Sequence, residues 1–119
     1  MPIEAAPALQ RLGKTFVGGV LFGLFILGSH PASANLFDPP WDKLVHALVF
    51  AALAAAISAG WPRLGWPTVL LVVAGIGLID ELHQIFVPLR QPGWDDGLAD
   101  LAGGGIGLLA WHFWRPSST

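Results

Sequence analysis

The sequence predicts an all-α fold, a polytopic membrane protein built as a compact bundle of four transmembrane helices with both termini in the cytoplasm. Three observations lead there. Of 119 residues, 54% are hydrophobic and only 12% charged, and the mean hydropathy is +0.62. An ordinary globular domain carries about a quarter charged residues to cover its surface. Four apolar stretches also approach the roughly 20 residues that cross a bilayer. Breakers separate them, and helix is the expected state because a span in hydrocarbon must satisfy its own backbone polar groups.

The first helix is expected over residues 16–34, FVGGVLFGLFILGSHPASA. Arg11 and Lys14 precede it and Ala32-Ser33-Ala34 closes it, which is also the layout of a secretory signal peptide with an A-x-A cleavage site. Cleavage after Ala34 would leave three spans. We read the segment as a retained helix, because an even number of spans fits the charge distribution below. Asp38-Pro39-Pro40 breaks the chain before the second helix, residues 44–60. Trp61-Pro62-Arg63-Leu64-Gly65 separates it from the third, residues 66–87, and Pro88 to Gly93 precede the fourth, residues 97–114. Residues 1–119 thus form a single domain.

Charge and tryptophan set the orientation. With the amino terminus inside, Arg11, Lys14, Arg63 and Arg115 fall in the cytoplasm, and only Lys43 and Arg90 fall outside, as the positive-inside rule requires. All six tryptophans lie at or near expected helix ends, where an amphipathic ring prefers the headgroup region. The expected location is therefore the cytoplasmic (inner) membrane, crossed several times, with the lipid bilayer as the first partner. A net charge of −2 with no basic stripe excludes nucleic acid as a partner. The absence of cysteine excludes disulfides, thiolate metal sites and cysteine nucleophiles.

In this topology the polar side chains gather at the outer end. Asp42, Lys43 and His46 lie at the start of the second helix, and Asp80, Glu81, His83 and Gln84 in the last turns of the third. Arg90 follows in the loop, and Asp95, Asp96 and Asp100 open the fourth helix. Ionisable groups in a span are expensive and face the bundle interior or a wet cavity. On a helix Asp80, Glu81, His83 and Gln84 cover an arc of about 160°, with Asp80, His83 and Gln84 the tightest trio. Asp42 and His46 are four apart and can share a face, as can Asp96 and Asp100. Gly103, Gly104, Gly105 and Gly107, with Gly75 and Gly77, permit close helix approach.

Several of these residues have structural explanations. Asp96 suits a helix amino-terminal cap, Lys43 an interfacial lysine with its ammonium in water, and His46 a hydrogen-bonded interior histidine. Asp80 and Glu81 can also belong to a salt-bridge network with Arg90 and Lys43. As a site, Asp80, Glu81 and His83 have the composition of a general acid–base centre. Asp42, Lys43, His46, Gln84, Arg90, Asp96 and Asp100 are the candidate binding residues. Histidines and carboxylates can hold a divalent metal, but H-E-x-x-H is absent and the spacing alone is weak, so no metal or other cofactor is expected. No serine stands in a nucleophile motif, and Ser58 and Thr68 lie at the opposite end.

DKLVHALVF (Asp42 to Phe50), DELHQIFVPLR (Asp80 to Arg90) and the acids Asp96 and Asp100 resemble the VanZ-like family of small membrane proteins, over residues 40–108. Leu89 stands where the family usually has glycine, and Asp100 where asparagine is frequent. The resemblance implies membrane location, a cell-envelope context and functional weight on the motif residues. The family's founding member is linked to low-level resistance to the glycopeptide antibiotic teicoplanin, but the resemblance supplies no reaction. The expected function is to bind or modify an anionic lipid-linked or cell-wall component in an outer-facing polar pocket. Alternatives are a structural or partner-binding subunit, and an ion- or proton-coupled transporter; the apolar inner halves of the helices count against transport.

Overall fold

The fold is described by a computed structural model over residues 7–26, 41–86 and 94–114, without the side chains of Asp42, Trp94, Asp95 and Asp96. It contains α1 (Pro7–Phe25), α2 (Trp41–Gly60), α3 (Trp66–Gln84) and α4 (Trp94–Trp114), and no strand among the described residues. The all-α expectation and the four helices stand. At 20 residues, α2 is about 30 Å long, the thickness of a bilayer's hydrocarbon core. By length and apolarity, α2 (Lys43–Gly60) and α3 (Trp66–Gln84) can each cross a membrane.

The first helix starts earlier than expected, at Pro7 and not near Phe16. Apolarity marks where hydrocarbon is tolerated, whereas helix formation follows backbone propensity. Ala8-Leu9-Gln10-Arg11-Leu12 are strong helix formers, and proline suits the first helical position, where its missing N–H is no loss. Arg11 and Lys14 therefore lie inside α1. Residues 27–34, with the Ala32-Ser33-Ala34 cleavage site, fall outside the described residues. Likewise α2 begins at Trp41 and α4 at Trp94, which puts Lys43 and the backbone of Asp42, Asp95 and Asp96 in first helical turns.

A short turn joins α2 to α3. The Trp61 N–H donates to Ile57 O at 2.9 Å and the Leu64 N–H to Trp61 O at 3.0 Å. Gly65 is extended (φ −72°, ψ 159°), and its carbonyl accepts the Val69 N–H at 3.1 Å to open α3. Pro67 sits in that first turn, where it breaks no intrahelical bond.

Backbone contact through small residues organises the bundle. The most extensive contact is between α2 and α4; α1 packs mainly on α2, and α3 mainly on α4. Gly103 and Gly107, one turn apart, press against the carbonyls of Ala47 and Ala51, so that a Cβ at either glycine would overlap the α2 backbone. On the other flank, a Cβ at Gly13 would stand 2.6 Å from Ala56 O and 2.8 Å from Gly60 N. These are the small-residue approaches that let helices associate where lipid offers no hydrophobic drive. Phe50, Leu53, Ala54, Ile57, Val69, Val73 and Val17 fill the space between the helices.

The molecule is inverted relative to a soluble domain. Large apolar side chains face outward on α1, α3 and α4, among them Phe16, Leu71 (73% exposed), Ile79, Leu98, Ile106 and Phe113. Asp80, Gln84 and Asp100 are buried to 2%, 3% and 2% exposure. Water would penalise the exposed apolar surface, whereas hydrocarbon accepts it and drives acids to the bundle interior.

Candidate functional site at the polar end of the bundle

Because α2, α3 and α4 alternate in direction, the start of α2, the end of α3 and the start of α4 meet. Three side chains converge there from three helices. One ligand-capable atom from each of His46, Asp80 and Asp100 lies within 4.8 Å of the other two. His46 Nδ1 and Asp100 Oδ1 are 3.0 Å apart, a hydrogen bond between residues 54 positions apart in the chain. Asp80 is fixed from its own helix, where the Gln84 amide (Nε2) donates to Asp80 Oδ2 at 3.0 Å. This i,i+4 bond turns both side chains to the same buried face.

Packing brings the two acids together. The absent side chain of Gly77, one turn before Asp80, makes room for Asp100: a Cβ there would lie 3.2 Å from Asp100 Oδ2 and 3.5 Å from Asp100 Cβ. Gly104 does the same for Val73, whose Cγ1 would be 2.9 Å from an added Cβ. Gly75 and Gly105 have nothing within 4 Å and take no part in the close approach.

The other expected site residues fall around this centre. Glu81 is half-buried beside Asp80. The His83 ring meets Phe25 of α1 edge-on at 5.6 Å. The Phe25 contact had no sequence signal, since nothing in an apolar run distinguishes one phenylalanine from the next. Lys43 is half-buried in the first turn of α2. Arg90 lies outside the described residues, as do the side chains of Asp42 and Asp96. Among the expected residues with described side chains, then, His46, Asp80, Gln84 and Asp100 form the cluster, and His83 meets Phe25.

The opposite end differs in character. Lys14 Nζ sits 5.6 Å from the Trp61 ring centroid, a cation–π contact, and Trp111 and Trp114 pack at 5.6 Å. Ser58, which stood outside any nucleophile motif, donates to Ala54 O at 2.9 Å and is buried as part of α2.

An all-α bundle with an apolar exterior, two helices able to cross a bilayer and a buried polar centre at one end fits a membrane protein. A family model described as VanZ/LLP1 matches residues 9–115, and the chain belongs to that family. No curated protein and no solved structure matches it.

Proposed function

We propose that this protein spans the cytoplasmic membrane four times with both termini inside, and that its polar end, at the outer face, binds or modifies an anionic lipid-linked or cell-wall component. The observation that carries this reading is the convergence of part-buried His46 with buried Asp80 and Asp100, from three helices, in a largely apolar molecule. Two helix amino termini, those of α2 and α4, lie at the same end, and helix amino termini favour negative charge. Lys43 in the first turn of α2 and Arg90 of the DELHQIFVPLR motif add positive charge to that end. The VanZ-type resemblance supplies the envelope context.

The test is a deletion strain complemented with His46→Ala, Asp80→Asn, Asp100→Asn or Arg90→Ala. Lipid-linked precursors, wall composition and teicoplanin susceptibility are profiled beside membrane abundance of the protein. Each variant is expected to lose complementation at unchanged abundance, and full complementation by all four would overturn the reading. A second reading has its own support, because the His46–Asp100 bond ties α2 directly to α4. A structural tie predicts the reverse pattern: lower abundance, with normal activity per molecule that remains.

A further inference from the structure

We propose that His46, Asp80 and Asp100 form a binding site for one divalent transition-metal cation of the zinc type, where α2, α3 and α4 meet. Donor atoms of the three side chains all lie within 4.8 Å of one another. Around an ion with N and O bonds of about 2.0–2.2 Å, tetrahedral donors stand about 3.4 Å apart. The His46 Nδ1–Asp100 Oδ1 edge, at 3.0 Å, is already of that size. The triangle therefore closes on an ion through side-chain shifts on the order of 1 Å.

The donor set narrows the ion. One imidazole nitrogen with two carboxylate oxygens suits zinc, manganese or iron(II), whereas calcium and magnesium prefer all-oxygen shells. Soft, thiolate-selected ions are disfavoured, because the chain has no cysteine. Three protein ligands leave at least one position open, as in metal sites that take an exogenous ligand.

Charge points the same way. Asp80 and Asp100 are each 2% exposed, and a divalent cation is a counter-charge that two buried carboxylates can share. To bind the ion Nδ1 must present its lone pair, so any proton held between Nδ1 and Oδ1 leaves that edge and the imidazole keeps its N–H at Nε2. The surroundings match an outer shell: the Gln84 amide orients Asp80, and Gly77 holds open the space that Asp100 fills. Such groups fix ligand orientation.

The site stands on this geometry alone and the anionic ligand is a separate reading, so each can fail without the other. The full chain, purified in detergent, is analysed for bound metals after exchange into zinc, manganese or iron(II) and removal of excess ion. About one equivalent per chain is expected for wild type and about a tenth or less for His46→Ala and Asp100→Asn. His112→Ala should bind as wild type. Added metal should raise the Tm of wild type and leave that of His46→Ala unmoved. A wild-type chain with neither stoichiometric metal nor a Tm rise overturns the site, as does full retention of metal by the His46 and Asp100 variants. Should those variants fail to accumulate, X-ray absorption at the metal edge of the wild-type protein decides. One imidazole among oxygen donors supports the site, and a shell without imidazole overturns it.

Discussion

His46 and Asp100 exemplify what individual residues do here, because each is intelligible only with the other. Removing the imidazole takes a hydrogen-bond partner from a buried carboxylate, so His46→Ala is expected to cost about 1–3 kcal/mol of stability. The double variant His46→Ala/Asp100→Asn should cost clearly less than the two single changes added together. A double-mutant cycle by thermal unfolding in detergent checks this, and strict additivity would mean that the 3.0 Å contact carries no coupling. Gln84 acts through Asp80, to which it donates. Gln84→Leu is therefore expected to weaken metal affinity about 10- to 100-fold while membrane abundance stays unchanged, measured by competition with a metallochromic dye. That His46 and Asp100 share one end of the bundle was legible in the sequence, but their pairing across 54 residues was not. Spacing arithmetic places Asp42 with His46 and Asp96 with Asp100, because it sees one helix at a time. The local half of the site was legible, since Asp80 and Gln84 are four apart and do share a buried face.

Among the helices, α2 and α4 depend on two glycines where a Cβ has no room. Gly103→Leu and Gly107→Leu should each push α4 off Ala47 and Ala51 and lower the amount of folded protein several-fold. Gly105→Leu should be tolerated, since nothing lies within 4 Å of that position. Immunoblots of membrane fractions and size-exclusion profiles read the contrast, and equal behaviour of the three variants would refute the packing argument. The sequence showed a glycine-rich α4 but not which glycines touch, because the choice is set by helix rotation about its own axis. Helix number and the Trp61–Gly65 turn were legible, as apolar runs and breakers are local signals. The start of α1 was not, because apolarity begins at Phe16 while helix propensity begins at Pro7.

For the whole molecule the apolar exterior and buried acids make topology the decisive quantity. The chain lacks cysteine, so single cysteines are clean reporters. With four spans, Trp41→Cys should react with a membrane-impermeant maleimide in intact cells, and Arg63→Cys only after permeabilisation. The reverse pattern would place the polar centre in the cytoplasm. Retention of α1 is expected because Gly13 docks on Ala56 and Gly60, and Val17 joins the core. Intact mass of the purified protein should include residues 1–34, and a product starting at Asn35 would leave a three-span molecule. The short turn between α2 and α3 also bears on biogenesis. Among the described residues those two helices are the ones long and apolar enough to cross a membrane, and the turn would let them enter it as one helical hairpin. Asp100 makes α4 a reluctant traveller on its own, since an acid in a span costs up to about 2.5–3.5 kcal/mol on insertion scales. With His46 already waiting on α2, that acid has a destination, so the last helix is expected to be accepted by the protein before it is accepted by the membrane.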